Sequence, residues 1–549
     1  MKMAYPLLLS NFLERVNRLY AKKEIVSRDF SGEMRYTYGD FYRRVTKLAN
    51  ALEKLGVERQ DRVATFAWNN HRHLELYFAV PAMGAVIHTV NIRLFPDQLV
   101  YILNHAADKV IFVDEDLVPI LEKVADKLTT VRHFVIMTDR ATPLETKLSP
   151  VSYYEELLAQ SPAGYDFPKD LDENSAAGLC YTTATTGNPK GVVYTHRGIF
   201  LHSLAISLPD AAGISETDVI MPIVPMFHAN AWGIPFAATM AGAKQVLPGA
   251  RPDPRTFLQL MEKEKVTLSL GVPTVWMGVM QLLEKENYDL SSLRAVLCGG
   301  SAPPRSLIEA FERKTGALFI HAYGMTETYP LVTVARPKSY MKDWPAEKIY
   351  EKRAKQGTLV PGLEMKLVNE KGVEVEHNGK ELGKLLLKGA WIIEEYYNDP
   401  RTAGSFSDGW LRTGDMATID EEGYVQIMDR AKDLIKSGGE WISSVDLENT
   451  IMAHPAVLEA AVIAMPHEKW QERPLACVVL RPEYRGKVTQ EDILDFLRDK
   501  VSKWWLPDRV DFLESIPKTS VGKFSKRQLR EWYAANNFER PAMAAGQGS

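Results

Sequence analysis

Tyr181-Thr182-Thr183-Ala184-Thr185-Thr186-Gly187-Asn188-Pro189-Lys190-Gly191 packs four threonine hydroxyls, two glycines and a lysine into eleven residues. The apolar run 176–181 predicts a buried strand, and the helical apolar spacing from about 195 to 208 predicts a helix, so the stretch reads as strand, loop, helix. Backbone N–H groups of a glycine-containing loop, hydroxyl donors and one ammonium can together neutralise the β- and γ-phosphates of a nucleotide. A polar surface loop is the competing reading, and the density of donors around Pro189-Lys190-Gly191 weighs against it. The spacing G-x-x-x-x-G-K-[ST] occurs nowhere, which disfavours an ordinary P-loop ATPase or kinase.

On both sides of this loop short apolar runs alternate with amphipathic segments. Strands are predicted over 62–68, 85–90, 109–113, 219–224, 244–247, 267–270, 295–298 and 318–322. Helices are predicted over 71–83, 98–105, 117–128, 256–264, 274–285 and 306–315. This rhythm predicts an α/β fold with parallel sheets, whose ligands gather where the strands end. From Gly357 the rhythm changes to strands over 364–368, 383–387 and 424–428 without helices between them, a small β-rich region. Residues 429–433 form a charged break; a glycine-rich loop, a helix over 444–453, a strand over 460–465, a helix over 491–504 and a lysine-rich loop then make a compact α+β domain. The expected organisation is a large N-terminal domain, 1–430, a small C-terminal domain, 431–537, and a disordered tail, 538–549, rich in Ala, Gly and Pro.

The 549 residues are too many for one core, since single cores stop growing at roughly 250–300 residues. A net charge of −4, from 66 basic and 70 acidic residues, makes no electrostatic case for nucleic acid or an anionic membrane. Cys180, Cys298 and Cys477 lie far apart in apolar runs, with neither zinc-ligand spacing nor the density of a disulfide scaffold, which fits a reducing compartment. Asn11, Glu14 and Arg15 interrupt the only apolar stretch near the N-terminus, and no window reaches 18 uncharged apolar residues. A cytoplasmic protein without signal peptide or membrane span is expected.

Further segments stand in a fixed order along the chain: His321-Ala322-Tyr323-Gly324-Met325-Thr326-Glu327, Leu411-Arg412-Thr413-Gly414-Asp415, Asp429-Arg430-Ala431-Lys432-Asp433, Ser437-Gly438-Gly439-Glu440-Trp441-Ile442 and Pro517-Lys518-Thr519-Ser520-Val521-Gly522-Lys523. With the threonine-rich loop they resemble the adenylate-forming superfamily, closest to its fatty-acyl-CoA synthetase branch, over nearly the whole chain. The resemblance implies a large domain of stacked subdomains, a mobile C-terminal domain and two reactions. A carboxylate and ATP give acyl-AMP and pyrophosphate; the thiol of coenzyme A then displaces AMP. It also admits a homodimer.

Attack on the α-phosphorus gathers negative charge there, so cations and donors must converge on it. By resemblance, Thr182, Thr183, Thr185, Thr186, Gly187 and Lys190 hold the pyrophosphate. Glu327 is the expected Mg2+ ligand, a hard carboxylate oxygen suited to that ion, with Thr182 beside it. Thr326 would bond the α-phosphate, Tyr323 would stack on adenine among His321, Ala322 and Gly324, and Gly300 would let the backbone approach the base. Asp415, after Thr413-Gly414 in an apparent turn, would take both ribose hydroxyls, helped by Arg430. Lys523 matches the lysine of the small domain that reaches into the first half-reaction, and Lys432 stands at the hinge between domains. If the small domain turns there, the Gly438-Gly439 loop comes to line the CoA channel, with Lys436 and Trp441 near the nucleotide. His228 would close over the carboxylate, and Trp232 resembles a gate across an acyl tunnel. Short or sulfur-containing propionate-type acids and aryl acids are rival substrates; an acceptor other than CoA and an ATP-binding regulatory protein without ligase activity are more distant rivals.

The family has glycine where this chain has Ala184. Glycine there can take φ > 0 and let the backbone crowd the phosphates, whereas alanine in that conformation costs about 1 kcal/mol. Pyrophosphate release by the wild type and Ala184→Gly decides between two outcomes. A rise of roughly fivefold in kcat/KM for ATP, matching that strain, marks a crowded loop; equal values mean that alanine is held at φ < 0.

Overall fold

The alternating apolar runs become the strands of two large sheets in the computed structural model. It describes residues 5–140, 143–182, 188–430, 433–438, 440–519, 523–536 and 538. The first sheet has the order Val151–Tyr153, His133–Met137, Asp108–Asp114, Arg62–Phe66, Val86–Thr89, Ala176–Tyr181, Gly191–Thr195. It is parallel except at its last pair. The second runs from Thr358–Leu359 through Leu331–Val334, Leu318–Gly324, Ala295–Cys298, Leu268–Gly271, Val219–Pro222, Lys244–Leu247 and Glu24–Arg28 to Glu33–Thr37, parallel in its middle and antiparallel at both edges. Strands buried on both faces, such as Ala295–Cys298, explain why such runs are continuously apolar.

Between the sheets lies the helix His71–Ala82, every residue of which is buried. Its Glu75 accepts from Arg44 Nε (2.7 Å) and the Tyr154 hydroxyl (2.6 Å), and its Arg72 Nε donates to Glu155 (2.8 Å). Buried charges survive here because each is paired and hydrogen-bonded.

Where strand, loop, helix is expected, the chain forms a hairpin. Ala176–Tyr181 pairs antiparallel with Gly191–Thr195, Tyr181 opposite Gly191 and Cys180 opposite Val192. Only then does the helix His196–Ser207 begin, capped by the Thr195 hydroxyl on Gly198 N (3.0 Å). The helix start is thus a full strand, about 17 Å, from the threonine-rich loop, and its dipole is not aimed at that loop.

Other expectations shift for local reasons. The helix expected over 117–128 is broken into Glu115–Leu117, Val118–Glu122 and Ala125–Lys127, restarting at Pro119, which lacks an N–H to continue a helix. The helix expected over 491–504 is Gln490–Arg498, and Lys503–Trp505 forms a separate 3₁₀ turn whose exit the Arg473 guanidinium holds through the carbonyls of Trp504 (2.5 Å) and Leu506 (2.8 Å). Thr413-Gly414 is no turn: both lie inside the strand Trp410–Ile419, where Gly414 at φ +78° breaks the register and Thr413 Oγ1 bonds Leu385 O (2.9 Å). Asp429 and Arg430, read as a break, finish the strand Val425–Arg430.

The region after Gly357 is an antiparallel five-stranded sheet, Leu363–Val368, Gly383–Gly389, Trp410–Ile419 and Phe406–Ser407, with Val425–Arg430 on Trp410–Ile419. Beyond it a second five-stranded sheet, centred on Gln471–Leu480, carries one apolar core on each face. The helices Ser444–Met452, Gln490–Arg498 and Lys526–Ala535 supply those cores with Leu447, Ile451, Ile493, Leu497, Leu529 and Tyr533. Of the expected tail, Phe538 packs against the second of these cores and its N–H bonds Tyr533 O (2.6 Å); 539–549 lie outside the described residues. All three cysteines are buried and free. Among the described residues no helix is long and apolar enough to cross a membrane.

Candidate active site

The C-terminal ends of the parallel strands, the antiparallel sheet and the small domain meet around a cavity of about 690 Å³. The size suits a nucleotide-scale ligand. Thr182, Lys190, His228, Trp232, Gly300, His321, Ala322, Tyr323, Gly324, Thr326, Glu327, Asp415, Arg430 and Lys523 all line it. Thr183, Ala184, Thr185, Thr186, Gly187 and Lys432 lie outside the described residues.

At the end of the cavity beside the threonine-rich loop, Thr182 N donates to Lys190 O (2.9 Å) and Lys190 N to Thr182 Oγ1 (3.2 Å), closing the neck of the loop. The Lys190 ammonium lies 4.1 Å from the centre of the Tyr396 ring and 3.3 Å from Ser405 Oγ. Burial, aided by Arg401, lowers its pKa. Arg401, gripped by Asp399, donates to Asn188 O (2.9 Å), and Tyr397 N donates to Gly191 O (2.9 Å). Tyr396, Arg401 and Ser405 were not singled out from the sequence. The signal was the aromatic pair followed by an Asn-Asp-Pro turn in Tyr396-Tyr397-Asn398-Asp399-Pro400-Arg401.

Glu327 and Thr326 sit in a single 3₁₀ turn, Thr326–Thr328, after the strand Leu318–Gly324. A β-carbon on Gly324 would stand 1.4 Å from Pro330 O, so only glycine lets the chain fold back here. The Tyr194 hydroxyl holds Thr326 O (2.7 Å), and the Tyr396 hydroxyl donates to Glu327 Oε1 (2.7 Å). Asp415 receives the Tyr323 hydroxyl (2.5 Å) at one oxygen and Arg430 Nε (3.2 Å) at the other. A carboxylate has lone pairs left for two further donors. His321 donates from Nδ1 to Ala354 O (3.0 Å), and burial lowers its pKa to about 4, so it lines the cavity as a neutral ring.

Lys523 comes from the small domain, where Thr519 N donates to Lys523 O (2.7 Å) and Lys523 N to Thr519 Oγ1 (3.2 Å). Its side chain crosses to the large domain: a β-carbon on Gly300, which has φ +83°, would stand 3.2 Å from Lys523 Cε. Burial, then the neighbouring Arg430, lowers its pKa to about 8 against the pull of Asp415 and Glu327. Lys436 and Trp441 are not in the cavity. They pair across the hairpin Ile435–Ser437/Glu440–Ile442, Nζ 5.5 Å from the ring centre, with Trp441 43% exposed.

The apolar side of the cavity has an unusual backbone. Ala229, Asn230, Ala231, Trp232 and Gly233 have φ of +43°, +52°, +47°, +59° and +72°, a left-handed turn that costs roughly 1–2 kcal/mol for each non-glycine residue. Asn69 holds its approach, donating to Pro222 O and Val224 O (both 2.9 Å) and accepting from Met226 N (2.7 Å), and Asn230 Oδ1 receives Thr89 Oγ1 and Cys180 Sγ (both 3.3 Å). The turn sets the half-buried Trp232 edge-on to Gly299, its Cη2 3.2 Å from where a β-carbon there would stand. Ile206, Ala229, Leu297 and Leu331 complete an apolar wall. Burial, with Lys523 nearby, lowers the His228 pKa to about 3, so this imidazole is neutral.

Residues 13–397 match the AMP-binding enzyme family and 446–523 match the AMP-binding enzyme C-terminal domain. A long-chain-fatty-acid–CoA ligase of Thermus thermophilus is 50% identical over 96% of this chain and 95% of its own. A 3-methylmercaptopropionyl-CoA ligase of Ruegeria lacuscaerulensis is 43% identical over 96% and 98%. The crystal structure of an anthranilate CoA ligase with anthranoyl-AMP superposes with a TM-score of 0.87 at 26% identity, over 98% of this chain and 100% of that one. The chain belongs to the AMP-binding, adenylate-forming enzyme family. Within it, this is an AMP-forming acid–thiol ligase of the acyl-CoA synthetase type.

A lysine that serves as a cation is lost to the reaction as pH rises through its pKa. The kcat/KM for pyrophosphate release is therefore expected to fall on an alkaline limb near pH 8, the value that burial and Arg430 set for Lys523. Lys523→Arg, whose charge persists, should carry that limb upward; a limb left in place belongs to another group.

Proposed function

We propose that the carboxylate is a fatty acid and that the cavity carries out its adenylation. One observation supports this above the others: Lys523, Glu327, Thr326 and Asp415, from two domains and three separate motifs, converge on one cavity whose far wall is Ile206, Ala229, Trp232, Leu297 and Leu331. The 50% identity to a long-chain ligase supports the fatty chain.

In this reading Asp415 takes the ribose hydroxyls while Tyr323 and the Gly299-Gly300 backbone face the base. Thr182 and Lys190 hold the β- and γ-phosphates. One carboxylate oxygen attacks the α-phosphorus, the bond to the bridging oxygen breaks, and pyrophosphate leaves. Thr326 and Lys523 meet the charge that develops on the α-phosphate. Neutral His228 can donate or accept a hydrogen bond at the carboxylate without adding charge.

Mg2+ fits the donors present. Glu327 is a buried hard carboxylate with one oxygen beyond the Tyr396 bond, and among the described residues no group of three or more His, Cys, Asp or Glu could hold a metal by itself. That suits an ion held by one carboxylate together with substrate phosphates and waters. When bound, it would neutralise charge on the leaving phosphates.

For the second step the small domain turns about the segment containing Lys432. Lys523 then withdraws, and the face with Gly438, Lys436 and Trp441 comes to the cleft, where the CoA sulfur attacks the acyl carbon and AMP leaves. Lys523→Ala is expected to slow adenylation by about 10²–10³-fold, with thioester formation from supplied acyl-AMP much less affected; equal loss in both steps contradicts the turn.

The similarity to a 3-methylmercaptopropionyl-CoA ligase favours a second reading, a short sulfur-containing acid. Acids from propionate to stearate, with 3-methylthiopropionate, are to be compared by AMP formation with CoA. Each methylene buried along an apolar wall adds about 0.8 kcal/mol, so kcat/KM should climb about fourfold per carbon and level off where the cavity ends. A maximum at the short thioether acid, falling with length, selects the second reading.

A further inference from the structure

Glu327 and Lys190 are opposite charges on the wall of one cavity, and Glu327 acts on the Lys190 ammonium through space. Left to themselves, two such groups pair in a poorly solvated cleft, and each is then withdrawn from its ligand. Among the described residues no ion pair joins them. What stands between them is Tyr396, 6% exposed.

Its hydroxyl donates to Glu327 Oε1 at 2.7 Å, and its ring face carries the Lys190 ammonium at 4.1 Å. The two contacts use different parts of one rigid side chain: the polar tip satisfies one carboxylate oxygen and leaves the other, and the π-face holds a cation without neutralising it. Ser405 Oγ, nine residues on, gives the ammonium its second contact at 3.3 Å.

The backbone fixes the ring relative to both partners. Tyr396 N donates to Thr402 Oγ1 (3.1 Å), which closes the segment on itself. Ile393 N donates to Glu327 O (3.2 Å), tying the segment to the turn that bears the carboxylate. Tyr397 N donates to Gly191 O (2.9 Å), tying it to the strand that follows Lys190. A segment bonded to both neighbours positions its tyrosine by more than side-chain packing.

We propose that Tyr396 is a positioning residue that holds Glu327 and Lys190 apart, keeping one carboxylate oxygen for Mg2+ and the ammonium for the terminal phosphates of ATP. The proposal rests on the roles given above to Glu327 and Lys190. Tyr396 acts in this proposal only through its contacts with Glu327 and Lys190.

The test is ATP binding by calorimetry, with Mg2+ varied from none to saturation, on the full chain. Tyr396→Phe keeps the ring and loses the hydroxyl, freeing Glu327 to turn. The Mg2+ concentration for half-maximal tightening of ATP binding should rise roughly tenfold, with Mg2+-free ATP binding near the wild-type value. Tyr396→Leu loses the ring as well, and Mg2+-free ATP binding should weaken by about fivefold to tenfold as Lys190 pairs with Glu327. In Tyr396→Leu with Glu327→Gln that partner is gone, so Mg2+-free ATP affinity should return; a tyrosine that merely fills space gives no such rescue.

A Mg2+ dependence within twofold of wild type in Tyr396→Phe, or a double variant that binds no better than Tyr396→Leu, overturns the proposal. Glu327→Gln and Lys190→Ala alone test the roles beneath it. If neither changes Mg2+-dependent or Mg2+-free ATP binding respectively, those roles fall and the proposal falls with them.

Discussion

A lysine from the small domain rests on a glycine of the large one. Lys523 Cε stands 3.2 Å from where a β-carbon at residue 300 would be, and Gly300, at φ +83°, is in a conformation that favours glycine. Three charged groups of the cleft act on the ammonium so admitted. Arg430 pushes its proton off while Asp415 and Glu327 hold it on, and burial leaves the group near the edge of ionisation, about 8. An exposed lysine would keep its charge more easily but would act through water, where the same charge is worth far less. The depressed pKa is thus the physical counterpart of reach: bringing the ammonium into the cleft strips its hydration.

Polar contacts run along the join that delivers Lys523. Lys526, three residues on, pairs with Glu448 (2.9 Å) and lies 3.7 Å from Asp429 at the end of the large domain's last strand. Asp429 also bonds the N–H and hydroxyl of Ser444, Ser443 Oγ donates to Met428 O (2.6 Å), and Gln426 reaches Asp446 (3.2 Å). Burial pushes Glu448 up to about 7 and Asp446 to about 6. A join of this kind, made of directional hydrogen bonds and ion pairs, specifies one orientation of the small domain.

Much of this was legible in the sequence because it rests on local pattern. Continuous apolar runs ending in Gly or Pro marked the parallel strands, and the motif residues His321 to Glu327, Asp415 and Lys523 do meet in one cavity. What escaped was set by pairing over long range. The strand Gly191–Thr195 is a clear β-branched run, Gly-Val-Val-Tyr-Thr, yet nothing local says that it returns along Ala176–Tyr181 and does not lead straight into a helix. Thr413-Gly414 carries the composition of a turn, and only its neighbouring strands make it a bulge. Tyr396 and Arg401 were missed because their meaning lies in carbonyls and charges some two hundred residues earlier in the chain.

The acyl wall shows how far such remote partners carry. Four consecutive non-glycine residues in the left-handed region cannot be explained by their own preferences, since alanine and tryptophan both favour negative φ. They hold because the chain leading into the turn, and Asn230 within it, are anchored: Asn69 gathers three backbone groups of residues 222–226, Tyr77 donates to the carbonyl of Met226, and Asn230 is buried on Thr89 and Cys180. Two of these anchors flank or belong to the buried helix His71–Ala82, and two lie on adjacent strands of the first sheet. The angle of Trp232 against Gly299 is therefore set by the meeting of the two large sheets. The dimension of the cavity that an acyl chain meets is thus written in polar residues that never touch it.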